Sequence, residues 1–588
     1  MMNQSMKTIR SVFVRLMIPL LLFHASCSDS GDSDNTKALA LLLAGTYWDI
    51  SLEDTFTGPD YQVFLPDTNM NVNLTYTLDL GTSVKSVFFV FTNTNTGLSV
   101  PAPIMRNGTM PQTSEPSRNE LAIPQKASAS AVSGKPEIAE FNRNPLAYIK
   151  ANNPILLFMK SFDAPPRATQ LEDKLPFMVD SSRSVAATCK KVISENTFFG
   201  TKTLSVFVAD NCWISGGTKN KKINQDMVDA VADKFLKSGT NNDIYDWVSA
   251  IFGEEWGSGL PQEMIGESDE ITILIYDIDD DEDSVPSGCL GYFWAKDNFK
   301  RQYVSYSNER IMFYIDSGFL ATQDGGTWEI SDTYPSYIIS TLAHEFQHMI
   351  HFYQKTVLRS NGYGSEAWID EMCSLVTEDL VAYHLGTSGI STYTGPRGVL
   401  YSDPSAGGPG NEDGRLPMFN SYNYISVTTW YDPYLYGSIS YSINYALGSY
   451  LARNFGGATF FRNVVRNNYT DSRAITYALA QAGSPISFGE VLRYWGAANI
   501  LSDKAGVPKH YQYNKGSWET ESGYQLGSIN LYNYRYNSQT GPRIYSSIDG
   551  GSMYPASNVY VQACANCTGT RTWNVRMPAA VRLTVVVK

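Results

Sequence analysis

Between residues 46 and 110, apolar and polar positions alternate with a period near two, as in Tyr76-Thr77-Leu78-Asp79-Leu80 and again over 84–91. Successive side chains of a strand point to opposite faces, so this period predicts strands of a β-sandwich-like region. Residues 111–137 are rich in Ser, Pro and Ala and read as an exposed linker, and 138–185 carry no clear period. From about 195 the pattern changes. A strand at 204–208 precedes Met227, Val231 and Phe235, whose i, i+4, i+8 spacing predicts a helix over 225–235. Strands at 271–276 and 311–316 follow, and long helical stretches fill 336–500. Beyond 505, Gly, Asn, Ser and Tyr rise and Val alternates up to 581–587, which predicts a C-terminal β region. The fold class is α+β. The boundaries read from these shifts are 1–26, 27–45, 46–110, 111–185, 186–504 and 505–588.

Composition narrows the picture. The chain has 588 residues, 43% of them hydrophobic, enough for a sizeable core without a metal or disulfides to hold it. A formal charge of −13 argues against nucleic acid as a partner, because phosphate binding needs a basic footprint. An aromatic content of 13% excludes a disordered or fibrous chain.

The N-terminus has the layout of a secretory signal peptide over 1–26. Lys7, Arg10 and Arg15 precede or open a short apolar run, 16–23, and Ala25-Ser26-Cys27 follows. The run is shorter than the roughly 20 residues a membrane span needs. The small residues before Cys27 and the polar stretch after it resemble a bacterial lipoprotein site. That resemblance implies lipidation and membrane attachment at Cys27, with export to the cell envelope or surface; plain secretion is the alternative. His24 departs from the pattern, standing where Leu is usual. Residues 27–45 read as a tether.

Six further cysteines remain, an even number that an exported chain can pair. Cys189 and Cys212 flank the strand at 204–208 and are placed to close a hairpin. Cys564 and Cys567, a lone C-x-x-C, read as a short disulfide rather than a zinc or redox motif. The acidic run Asp277 to Asp283 offers oxygens to Ca²⁺ but lacks the EF-hand spacing, so a solvated loop is the preferred reading.

The chemistry concentrates in His344-Glu345-Phe346-Gln347-His348, an H-E-x-x-H sequence with apolar flanks at helical spacing. On a helix His344 and His348 share a face, with Cβ atoms about 5–6 Å apart, and can hold one Zn²⁺. Glu345 is offset and reaches a water rather than the metal. Three of the chain's six His lie within 344–351. A metzincin site requires Gly at 351 and His at 354; His351 and Gln354 stand there, and His351 reads as a packed, hydrogen-bonded residue. Glu366, Asp370 and Glu371, on a second predicted helix, are the available carboxylates for a third ligand. Asp370 and Glu371 point about 100° apart, so only one of them faces the metal.

The segment Trp368-Ile369-Asp370-Glu371 resembles the W-x-x-E segment of gluzincin metallopeptidases, in which that Glu is the third zinc ligand. The resemblance implies Glu371 as ligand and Glu378 as a carboxylate that orients a ligand His. Segments in order from about 195 to 500 are similar to the hyicolysin family of bacterial metallopeptidases. They include 204–208, 277–280, 291–293, 313–316, 344–350, 368–371 and Tyr436-Gly437-Ser438. This implies a zincin-like domain over 186–504 acting on protein or peptide substrates, with one zinc ion and Glu345 activating water. Tyr434 or Tyr436 would then stabilise the oxyanion: the first aligns on an aminopeptidase-like Y-x-x-G pattern, the second on a hyicolysin-like Y-G pattern. No motif for holding a free amine is visible, which favours endopeptidase action. The rival class is a surface binding protein or adhesin on an inactive peptidase scaffold. A hydrolase for anionic non-peptide substrates ranks lower, since only Lys355 and Arg359 stand near the motif.

Overall fold

The alternating N-terminal stretch forms strands β1 (Trp48–Thr55), β2 (Gln62–Phe64), β3 (Val72–Asp79), β4 (Lys85–Asn93) and β5 (Ile104–Met105). The chain closes on β12 (Ile548–Asp549), β13 (Ser557–Cys567), β14 (Thr570–Met577) and β15 (Val581–Val587). This is a computed structural model that describes residues 46–105, 136–152, 168–280, 288–387, 415–431, 439–513, 519–536 and 538–588. The predicted signal peptide, Cys27, the tether and nearly all of the 111–137 linker lie outside the described residues.

The two β-rich ends, separated by more than four hundred residues, interleave in the same sheets. One sheet runs β1-β3-β14-β5-β12 and the other β13-β4-β15-β2. They face each other through Tyr76, Phe89 and Trp573, with Phe89 edge-on to both partners at 5.7 and 5.3 Å. Burial explains the different patterns of β3 and β4. β3 alternates because its outer face meets solvent, whereas β4 is buried on both faces. Its second face, with Phe88 and Val90, packs on Ala497 and Ile500 of the helix Phe488–Ile500. A sequence pattern identifies strands but carries no information about which distant strand completes a sheet.

The central sheet contains β6 (Lys174–Met178), β7 (Ser184–Thr197), β8 (Gly200–Ala209), β9 (Glu270–Tyr276), β10 (Gly291–Tyr292) and β11 (Ile311–Asp316). Its order is β10-β11-β9-β8-β7-β6, with β9 parallel to β8 and β11 and the short β10 antiparallel at the edge. Two helices, α1 (Gln225–Phe235) and α2 (Ile244–Phe252), link β8 to β9. Against this sheet lies α3 (Thr333–His351), which continues as a π-helical turn over Phe352–Val357. Phe346 of α3 meets Phe235 at 5.1 Å and Tyr245 at 5.3 Å, and Phe235 meets Phe313 of β11. The edge strand approaches α3 so closely that a Cβ on Gly291 would lie 2.9 Å from Thr341 Cγ2.

The chain turns back through Asn361 and Gly362, both at positive φ, into α4 (Ala367–Thr387). Behind α4 lies α5 (Ile439–Phe455); a Cβ on Gly448 would meet Val376 Cγ2 at 2.5 Å, so Gly permits the contact. Among the described residues no helix is long and apolar enough to cross a membrane.

Cys189 and Cys212 do not pair. Cys189 lies opposite Phe207 in the β7–β8 ladder, and Cys212 falls in a turn beyond the end of β8, so the two are out of register. Both are buried thiols outside any disulfide, as are Cys289 and Cys373, whereas Cys564 and Cys567 form a disulfide. In the acidic run, Lys219 lies 2.8 Å from Asp277 and also pairs with Asp280, while Asp279 accepts from the Cys289 N–H. A lysine thus supplies the positive charge there; Asp281 to Asp283 lie outside the described residues.

Candidate metal centre

Helix α3 is built to be buried. Its central turns present Ile339, Leu342, Ala343, Phe346 and Ile350 to the core, and every residue from Ile338 to His351 is inaccessible or nearly so. Polar side chains on such a helix need partners. His344 and His348 find theirs on α4, whereas Glu345 keeps one oxygen unpaired.

Three ligand-type atoms converge there. His344 Nε2 and His348 Nε2 are 3.1 Å apart, and Glu371 Oε2 lies 3.3 Å from the first and 3.6 Å from the second. A tetrahedral zinc with bonds of about 2.0–2.1 Å separates its ligand atoms by about 3.3 Å, so this triangle has the size of one face of such a site. Two buried oxygens, Glu371 Oε2 and Glu345 Oε1, have no hydrogen-bond partner among the described residues. Both are of a kind that a cation and its water would satisfy. Of the three carboxylates available from the sequence, Glu371 faces the histidine pair. Asp370 turns to the other side of His348, its Oδ1 being 3.1 Å from Nδ1. Glu366 precedes the helix and accepts from the Trp368 indole N–H at 2.7 Å.

The remaining ring nitrogen of His344 is 2.8 Å from Glu378 Oε1. Donation from Nδ1 to that carboxylate leaves the Nε2 lone pair facing Glu371 and His348. Glu378 in turn accepts from Ser340 Oγ at 2.9 Å and from both Arg415 terminal nitrogens at 3.0 and 3.2 Å. Arg415 was invisible to sequence reading, since it belongs to no local pattern and lies 37 residues beyond Glu378. Ser340, one turn before His344, had only its spacing to mark it.

Electrostatics point the same way. Glu345, Asp370, Glu371 and Glu378 crowd a buried site whose nearby guanidinium is Arg415. Burial alone lowers the His344 imidazolium, but Glu371 and Glu378 outweigh it and lift the value to about 9. Burial is also the first influence on His348, and Asp370 and Glu371 override it, raising the value. Glu345 is pushed up to about 7 by burial. Four carboxylates thus face one guanidinium, and protons or a metal cation would supply the missing positive charge.

A cavity of about 540 Å³ opens at the amino end of α4, lined by Arg143, Glu366, Trp368, Trp430 and Asp471 among others. Ala367, also in its wall, is one helical turn from Glu371 on the same face of α4. Tyr434 and Tyr436, which begin just beyond Trp430, lie outside the described residues. Lys355 is fully buried and spent on three backbone carbonyls and the Asn467 side-chain oxygen, and Arg359 bonds to Gln354, so neither basic residue faces the histidines.

Comparison with known proteins agrees with this architecture. The model of the peptidase M30 family matches residues 195–588. The likeness carried by motifs to about residue 500 therefore continues through the C-terminal strands. The neutral metalloprotease ShpI of Staphylococcus hyicus is 25% identical over 308 residues, which cover 49% of this chain and 63% of that protein. The chain thus spans a little under two thirds of that relative's length.

Proposed function

The chain belongs to the peptidase M30 family, and from that premise we propose that it is a zinc-dependent peptidase that hydrolyses peptide bonds of extracellular proteins. The observation that carries this reading is the triangle of His344 Nε2, His348 Nε2 and Glu371 Oε2, with sides of 3.1–3.6 Å. These three residues would hold the metal. Zinc at such a site supplies Lewis acidity, which polarises a carbonyl and makes water a stronger acid.

The chain's own residues do the rest. Glu345, buried beside the ligands and with one oxygen unpaired, takes a proton from the attacking water and returns it to the leaving amine. Tyr434 or Tyr436 donates a hydrogen bond to the oxyanion. Glu378 holds the tautomer and orientation of His344. The cavity beside α4 receives part of the substrate, and the absence of a free-amine motif favours endopeptidase action. Export follows from the N-terminal segment, with Cys27 lipidated; Cys27→Ser would then move the protein from the membrane to the soluble fraction.

The deciding experiment uses residues 28–588, unaltered and with Glu345→Gln. Zinc near one per chain in both, with casein cleaved about 10²–10⁴-fold faster by the unaltered protein, is the expected result. Zinc in both and cleavage in neither would favour the binding-protein reading; no zinc in the unaltered protein overturns the proposal.

A further inference from the structure

His351 is a third histidine on the face of α3 that carries His344 and His348, yet its ring lies outside the triangle of ligand atoms. Its Nδ1 is 3.0 Å from Asp370 Oδ1, and the same oxygen is 3.1 Å from His348 Nδ1. One carboxylate oxygen therefore sits between two imidazoles, and neither ring N–H points squarely at it. On its other side, His351 Nε2 is 2.9 Å from Ser365 Oγ. Gln347 Nε2 stands 3.4 Å from His351 Nδ1, and the Gln347 carbonyl oxygen accepts from Ser374. His351 and Ser365 are buried, His351 being 2% exposed.

We propose that His351, backed by Ser365, is a positioning residue that holds the Asp370 carboxylate against the Nδ1 side of His348, and so fixes that ring for the metal. The inference rests on the zinc-peptidase reading. An acceptor at Nδ1 selects the tautomer whose Nε2 is free to bind a cation. Asp370 is followed directly by Glu371, so the contact does more than orient one ring. It ties the end of α3 to the first turn of α4 and sets the spacing of His348 from Glu371. Ser365, in the turn just ahead of α4, closes the link: a hydroxyl donated to Nε2 at 2.9 Å leaves Nδ1 as the protonated nitrogen, and that nitrogen lies 3.0 Å from Asp370 Oδ1. The two metal-facing histidines would then be braced by separate assemblies: His344 by Glu378 with Arg415 and Ser340, His348 by Asp370 with His351 and Ser365.

The test uses residues 28–588 with no further change, with His351→Ala, with His351→Asn and with Ser365→Ala. Each is stripped of metal. Zinc affinity is read by competition with a chromophoric chelator, and the visible spectrum of the Co²⁺-loaded protein reports ligand geometry. His351→Ala should bind zinc about 10–100-fold more weakly and shift the Co²⁺ bands. Asn places an amide N–H where Nδ1–H was, so His351→Asn should recover much of both; Ser365→Ala should show a smaller loss in the same direction. A merely structural role would lower the unfolding temperature and leave affinity and spectrum as they were, and that outcome overturns the inference. Should His351→Ala fail to fold, Ser365→Ala and His351→Asn decide by the same two readouts. If the unaltered protein takes up neither zinc nor Co²⁺, the metal reading itself fails; if it binds and the variants match it, only this inference does.

Discussion

Glu378 Oε1 lies 2.8 Å from His344 Nδ1, and the same carboxylate is gripped by both terminal nitrogens of Arg415. All three groups are buried or nearly so, with Glu378 at 2% exposure. A guanidinium thus compensates the carboxylate that braces a histidine, and the pair is worth more for what its loss would leave behind than for its own attraction. Arg415→Met strands Glu378 in the interior. It should cost about 3–5 kcal/mol in unfolding free energy, read from urea denaturation monitored by tryptophan fluorescence. A loss under 1 kcal/mol would mean that Glu378 is not held by this pair.

The three carboxylates near the histidines separate by geometry, and metal content should follow. Glu371→Ala removes the oxygen at the third corner of the triangle and should abolish stoichiometric zinc. Glu366→Gln keeps an acceptor for the Trp368 indole N–H and should leave zinc unchanged. Elemental analysis of the two dialysed proteins checks both statements, and the reverse pattern would assign the corner to the wrong residue.

Lys355 carries a pH dependence of stability. Its ammonium is wholly buried against Val464 O, Asn467 O, Asn467 Oδ1 and Tyr469 O, none of them charged. Burial lowers its value to about 7, whereas an unfolded lysine titrates near 10.4. Between those values the unfolded chain holds a proton that the folded chain has released, so the folded state gains as pH rises. The gain is complete above the unfolded value and is lost as pH falls through about 7. The stability of the unaltered protein relative to Lys355→Met should therefore climb by up to about 1.4 kcal/mol per pH unit across that window. A flat difference between pH 7 and 10 would show that the four oxygens keep the lysine charged.

Thiol chemistry follows from burial. Cys189, Cys212, Cys289 and Cys373 are buried thiols outside any disulfide, and burial pushes the Cys189 thiol up to about 11. In native protein spanning 28–588, a thiol reagent should find none of them; in denaturant without reductant it should find four. Two instead of four would restore the Cys189–Cys212 bridge that the strand register denies.

Local elements and nearest-neighbour chemistry are written along the chain. Alternation over 76–80 and 84–91 marks strands that form as β3 and β4, 311–316 reads as a strand and forms β11, and apolar spacing places the helix that carries His344 and His348. Both kinds of information lie within a few residues, where helical and strand geometry fix which side chains share a face. The i, i+4 histidine pair was legible for that reason. Only the tertiary structure decided what lies opposite each face. It set Glu371 toward the histidines and Asp370 behind His348, a choice that helical phase leaves open until α4 docks. It brought Arg415 to Glu378, braided 48–105 with 548–587 into shared sheets, and separated Cys189 from Cys212 by register. Those outcomes depend on packing between segments that lie from tens to hundreds of residues apart, and no window of the chain encodes the partner that will cover it.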